Sequence, residues 1–294
     1  MNTARFKEKF VRNAFLFNGI LVIMILAGIF LLLVMNALPT FKDVSWKEFL
    51  TGTNWNPSSD YHPAYGIVSM VVSTFMVTIG SLVIAVPIGI GTAAYLSDVA
   101  QPKVREIAKP VVEILAGIPS VVIGFLGIVM VGPFIAKMTG TYSGLNALNG
   151  SILLAVMALP TIVSLSEDAL ANVPKSFQEA SLALGASHWQ TLVRVKLAAA
   201  SSGIIAACML GMGRAIGETM TVLMATGNAP AFPSGFLNSV RPMTSTIAIE
   251  LGEVPYFTTH YHALFAIGLV LFLITFVINM IADIVLHRYE KNFR

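Results

Sequence analysis

Arg214 and Glu218 are the only charged residues in the apolar passage 197–227. A guanidinium presents planar donors to two oxygens at once, and a carboxylate can accept the proton of a protonated anion, so the two groups together suit a tetrahedral oxyanion. Phosphate carries such a proton near neutrality, whereas sulfate does not. Glu218 is one helical turn after Arg214, so their spacing predicts that both side chains share a face. Two readings follow. The pair is either a mutually neutralising bridge within a helix bundle or the lining of a polar pathway, the more usual role of ionisable groups inside a membrane. Only threonines stand nearby; no nucleophile, acid–base set or metal cluster accompanies the pair, which argues against a membrane-embedded enzyme. His188, His260 and His262 form no convincing metal-ligand set and read as surface residues. Cys208 is the single cysteine, has no intrachain disulfide partner, and reads as packing in an apolar run.

Composition dictates the elements that must hold these charges. Of 294 residues, 56% are hydrophobic and 11% charged, with a mean hydropathy of +0.79; too little polar surface remains to clothe a water-soluble globule. An uncharged run of about 20 residues crosses the hydrocarbon core as a helix. Six passages qualify: 15–35, 66–96, 114–135, 145–165, the interrupted 197–227, and 263–282. Arg5, Lys7, Lys9 and Arg12 precede the first in the manner of a signal peptide, but that run is too long and no small-residue cleavage site follows, so it reads as a retained anchor. The second would be roughly 46 Å long as a straight helix and contains Pro87. It must therefore tilt, kink or project. Glu113 reads as an exposed boundary charge at the start of the third span, where Pro119 and Ser120 mark a break or a packed kink. The loops 36–65 and 228–262 are too short for an independent core. Residues 1–65 thus form an N-terminal cytoplasmic segment, first span and extracytoplasmic loop, and residues 66–294 form the core transmembrane domain.

The net charge of +3 and pI near 9.0 do not indicate nucleic acid, because the basic residues are scattered between apolar blocks. They orient the chain instead. Of its 18 Lys and Arg, 13 fall at the two termini and in the second and fourth interhelical loops; Lys42, Lys47, Lys137 and Arg241 fall on the other side. The positive-inside rule then makes both termini cytoplasmic.

One amphipathic passage, EASLALGASHWQTLVRVK at 179–196, stays out of these spans. Ser176 with Glu179, and Ser187 with Gln190, have capping-box spacing, and Gly185 between them supplies a left-handed stop. The pattern predicts a helix, a glycine turn and a second helix on the cytoplasmic side. Phe177, Ala180, Ser181 and Leu184 recur on one small apolar face. That face either lies on lipid headgroups or inserts as a knob into a groove on another protein.

The spacing of Glu179, Ala180 and Gly185, followed by Trp189 and VKLAAASSGI, closely resembles the EAA loop of binding-protein-dependent ABC importer permeases. In that family the loop docks into the ATPase subunit, which implies ATPase coupling for Phe177, Glu179, Ala180, Leu184 and Gly185. Ser181 replaces the second alanine of the motif, and Ala198 stands where such permeases usually carry proline. No GxxxxGK[ST] loop is present, so this chain binds no ATP cofactor and hydrolysis falls to a separate subunit.

GRAIGETMTVLMATGN in the fifth passage and EILAGIPSVVIGFLGIVMVGP at 113–133 further resemble the phosphate-specific members, with the first closer to the C-type than the A-type permease. The resemblance covers nearly the whole chain, including NWNPSSDYHPAYG before the second span. It implies an all-α membrane protein of the type I importer fold, multi-pass in a bacterial inner membrane, and not itself an enzyme. It also implies inorganic phosphate as substrate, carried past Arg214 and Glu218 by alternating access. The implied partners are a second permease subunit, an ABC ATPase dimer, an extracytoplasmic phosphate-binding protein and membrane lipid. A permease for molybdate or sulfate is the alternative.

Overall fold

The computed structural model describes the backbone of residues 2–59 and 61–292 and the side chains of residues 8, 10–59 and 61–284. Arg5, Lys7, Lys9, Arg288, Lys291 and Arg294, which enter the charge count, have side chains outside the described residues. Five described helices are long and apolar enough to cross a membrane, or six when the bent pair His188–Ala199 and Ser201–Gly217 is counted as one span.

The first crossing is α1 (Asn2–Ala37); most of its described apolar residues are exposed, as lipid contact requires, while Ala37 at its end is buried. After it come the short helices α2 (Thr40–Asp43) and α3 (Trp46–Thr51) and a two-stranded antiparallel hairpin, β1 (Trp55–Asn56) with β2 (Ala64–Tyr65). Phe49, Trp55 and Tyr65 pack from this segment against Ala263, Leu264 and Ile267 of the last helix.

Next comes α4 (Val68–Ala94), which runs through Pro87 and continues as a π-helical turn, Tyr95–Val99. It packs along α8 (Ala147–Ala171) through small residues. A methyl group at Gly80 would overlap the Ser151 hydroxyl, which donates to Ala147 O at 2.8 Å. Lipid supplies no hydrophobic drive between membrane helices, so such close approaches carry the packing.

Between these helices the sequence reading needs correction. The third crossing does not begin at Ile114. That residue belongs to an amphipathic helix, α5 (Pro102–Ala116), separated from α6 (Ser120–Leu126) by Gly117, Ile118 and Pro119. Pro119 lacks an amide hydrogen and drives the preceding residue out of the helical region, so the chain breaks before the apolar run is complete. The crossing is therefore Ser120–Thr139, made of α6, a π turn at Gly127–Val131 and α7 (Gly132–Thr139). Arg105 and Lys109, counted as loop charges, instead lie on α5 and bind the α8 carboxylate Glu167, which is buried; Lys109 also reaches Asp168 at 2.9 Å.

The chain then forms α9 (Lys175–Ala183), α10 (His188–Thr191), a π turn at Leu192–Lys196, α11 (Leu197–Ala199), α12 (Ser201–Gly217) and α13 (Met220–Ala225). The passage read as a loop at 228–262 contains a further helix, α14 (Met243–Glu250), with Thr244, Ser245 and Thr246 buried. Its run is too short to span a membrane. The last crossing, α15 (Thr259–Asn292), packs against α1 and α12.

His260 and His262 are not free surface residues. His260 Nε2 lies 2.8 Å from Glu250, which also accepts from Arg241 at 2.9 Å and from the Trp55 indole at 3.0 Å. His262 Nδ1 lies 2.7 Å from Asn36 O. These contacts clamp α14 and α15 to the first extramembrane segment.

Candidate functional site

The site begins where α12 fails to continue. Its last residue is Gly217, and Glu218 has φ −71° and ψ 132°, an extended conformation. Arg214 and Glu218 therefore do not lie one turn apart on a single helical face, and among the described residues no ion pair joins them. Arg214 is exposed and Glu218 is partly buried. The shared face expected of them is lost because the backbone turns away between them.

Other groups satisfy the break. The Thr244 hydroxyl of α14 donates to the Glu218 carbonyl at 2.9 Å, replacing a lost helical bond. Glu218 Oε1 faces the Thr221 amide at 3.4 Å, at the start of α13. Thr221 Oγ1 donates to Ser120 O at 3.1 Å, where α6 begins after its own break. Two discontinuous helices thus meet through Thr221, with Glu218 beside the crossing. Thr74 and Thr78 of α4 line the same narrow cleft as Glu218 and Thr244. On the other side of the break, Gly217, Thr219, Thr244, Leu251, Tyr256 and Tyr261 line an open groove of about 610 Å³. Broken helices at this depth put polar backbone next to a path rather than next to lipid.

The threonines could be suspected from the sequence only as neighbours. Thr244 could not, because its link to Glu218 crosses 26 positions.

The second feature is the knob formed by α9 and α10. Its first half starts differently from the sequence reading. Pro174 is the N-cap and Lys175 the first helical residue, so Ser176 lies inside the first turn and forms no capping box with Glu179. Ser187 and Gln190 do form one: the Gln190 amide donates to Ser187 Oγ at 3.2 Å, and the Ser187 amide donates to Gln190 Oε1 at 2.9 Å.

Gly185 has φ +85°, the left-handed turn expected of it. Ala186 N donates to Ser181 O at 3.2 Å and Gly185 N to Leu182 O at 2.9 Å, the paired bonds of a Schellman stop. The Ser181 hydroxyl turns inward to Thr191 at 3.0 Å and so leaves the apolar ridge. It ties the two short helices together. Phe177, Leu184 and Trp189 remain 49%, 90% and 69% exposed, with Glu179 and Ala180 also exposed. Apolar residues this bare on a short helical hairpin make a surface ready for a groove.

Charges behind the knob escaped the sequence reading. Lys196 Nζ lies 2.5 Å from Asp98 Oδ1, a contact across 98 positions. On the neighbouring α5, hydrogen bonds to Glu167 and then Asp168 hold the Lys109 ammonium above the ordinary lysine range.

Comparison with known proteins fits this arrangement. Residues 85–294 match the family described as binding-protein-dependent transport system inner membrane component. The chain is 40% identical over 270 residues to the probable ABC transporter permease protein YqgH of Bacillus subtilis (strain 168), covering 90% of this chain and 87% of that protein. It is 30% identical over 303 residues to the phosphate transport system permease protein PstC of Pasteurella multocida (strain Pm70), covering 97% and 93%. Among solved structures, a bacterial ABC transporter involved in the import of the acidic polysaccharide alginate superposes with a TM-score of 0.63 at 15% identity, over 97% of this chain and 99% of that one.

Proposed function

The chain belongs to the binding-protein-dependent transport system inner membrane component family, and from that premise we propose that it is the C-type permease subunit of an ATP-driven inorganic phosphate importer. The observation that carries the substrate reading is Arg214: exposed beside a break in its own helix, with no ion pair among the described residues. An unpaired guanidinium inside a span is costly unless it faces a polar path or a partner. Its planar donors suit phosphate, and curated relatives named as phosphate transport permeases support that choice. Glu218, held by Thr244 and Thr221, takes the role of acceptor for the phosphate proton.

In this reading, residues 66–294 form the translocating domain and residues 1–65 an accessory anchor. Both termini and the knob are cytoplasmic. The exposed Phe177, Ala180, Leu184 and Trp189 enter a groove of the ATPase, with Gly185 setting the turn. Glu179, exposed on the same helix, meets the rim. The ATPase dimer binds and hydrolyses ATP, a second permease subunit completes the path, and an extracytoplasmic binding protein delivers phosphate. Closure of the ATPases then moves the knobs and alternates access to the Glu218 cleft.

Radiolabelled phosphate uptake by vesicles carrying the whole complex, with sulfate and molybdate as competitors, tests this assignment. ATP-dependent phosphate uptake resistant to a tenfold excess of either competitor is expected. Uptake abolished by molybdate or sulfate would reassign the permease to that oxyanion.

A further inference from the structure

Two π-helical turns meet behind the knob. One, Tyr95–Val99, ends the α4 crossing; the other, Leu192–Lys196, connects the knob to α11. Lys196 and Asp98, one from each turn, form an ion pair at 2.5 Å with side chains only 10% and 14% exposed. Lys196 is buried and its contact with Asp98 is part-buried, and such a pair is a poor way to stabilise a fold, because desolvation offsets much of the attraction. It is a better way to fix one register between two elements, and π turns are frequent at functional sites.

Its position gives that register a use. Gln178, His188 and Trp189 of the knob share with Asp98, Val99 and Lys196 a cavity of about 230 Å³, so space lies directly beneath the knob. From Asp98 the chain runs back along α4 to Thr78 and Thr74, roughly 30 and 36 Å away at the helical rise, where both line the Glu218 cleft. Thr74 Oγ1 also accepts from the Met243 amide at 3.1 Å, at the start of the helix whose Thr244 holds Glu218. One packed element therefore joins the ion pair to the cleft.

We propose that the Asp98–Lys196 ion pair is the strut through which the knob moves α4 and so opens and closes the Glu218 cleft. Both are positioning residues, since neither lines the Glu218 cleft. The proposal rests on the reading of the knob as the ATPase dock.

The complete complex, with its second permease, ATPases and binding protein in proteoliposomes, provides the test. Two readouts are needed: affinity of the ATPase for the permease, and phosphate transported per ATP hydrolysed. The apolar pair Asp98→Leu with Lys196→Met leaves no trapped charge and should bind ATPase within twofold of wild type. Its transport per ATP should fall at least tenfold. The reversed pair, Asp98→Lys with Lys196→Asp, should recover transport per ATP to within threefold of wild type. Wild-type transport per ATP in the apolar pair, or no recovery in the reversed pair, overturns the strut. So does loss of ATPase binding or of complex assembly in the apolar pair, either of which makes the contact architectural. Gly185→Val separates this from the dock itself: if that variant binds ATPase normally, the knob reading fails whatever the ion pair does.

Discussion

Replacing Gly185 by valine isolates what the knob contributes. A Cβ built at Gly185 meets nothing within 4 Å, so the substitution has room and its whole cost is backbone strain at φ +85°. A left-handed L-residue costs about 1–2 kcal/mol, and a β-branched one lies at the upper end. No side chain of α9 is buried, so little packing opposes relaxation of the turn and the strain is released there rather than in the bundle. About 2 kcal/mol corresponds to a roughly 30-fold loss of the docked geometry, since each 1.4 kcal/mol is about tenfold. Affinity of the purified ATPase for the reconstituted permease should therefore weaken by roughly 10- to 30-fold in Gly185→Val. Gly185→Asn should stay within about threefold, because asparagine visits this conformation readily. Equal affinities for the two variants would refute the reasoning, as the same exposed side chain volume would then matter more than the turn.

Other outcomes follow from the same structure. Arg214→Lys should assemble normally and lose at least about tenfold in uptake, because an ammonium lacks the fork that holds two oxygens; uptake at the wild-type rate would remove Arg214 from the path. A cysteine at Ser187, in a Cys208→Ala background, should react with an impermeant maleimide only from the cytoplasmic face, and labelling of intact cells from outside would invert the topology. The Lys109 tether should persist into alkali. Since Glu167 and Asp168 raise the lysine above its ordinary value of 10.5, its stabilisation is fully present below that pH and lost only as pH climbs through the raised value. The Tm difference between wild type and Lys109→Met should thus be flat from pH 7 to 10 and shrink above about 10.5; a difference that vanishes by pH 9 would contradict the tether.

Much of the architecture was legible because its cause is local. Long uncharged runs revealed the crossings around 15–35, 66–96, 145–165 and 263–282, which the spans Phe10–Asp43, Val68–Val99, Ala147–Ala171 and Thr259–Ile284 contain or overlap. The Gly185 stop and the Ser187–Gln190 box were equally local, complete within six and four residues. Pro119 was legible as a break or kink, but hydropathy could not show that the apolar residues before it, from Ile114 to Ala116, belong to the separate amphipathic helix α5. Nor could periodicity show that Glu218 leaves the helix, because Gly217 permits a break without requiring one. The shared face of Arg214 and Glu218 was misread by assuming continuity there. Glu167 with Arg105, and Asp98 with Lys196, stayed hidden for another reason: their partners lie 62 and 98 positions away, and nothing in either local pattern selects them. The Ser176 box failed by register, since Pro174 takes the cap and starts the helix at Lys175.

The central claim is that this permease carries phosphate past Arg214, and exchanging the two charges tests it most directly. In the double variant Arg214→Glu with Glu218→Arg the net charge of the span is kept, while the guanidinium moves past the helix break to the position between Thr244 and Thr221. ATP-driven uptake of radiolabelled phosphate should be measured in proteoliposomes holding equal amounts of assembled wild-type and exchanged complex. The account predicts normal assembly with phosphate uptake reduced at least about tenfold, because the fork no longer meets the anion where the path requires it. Uptake near the wild-type rate in the exchanged complex would contradict it and leave the two charges as mere neutral balance within the bundle.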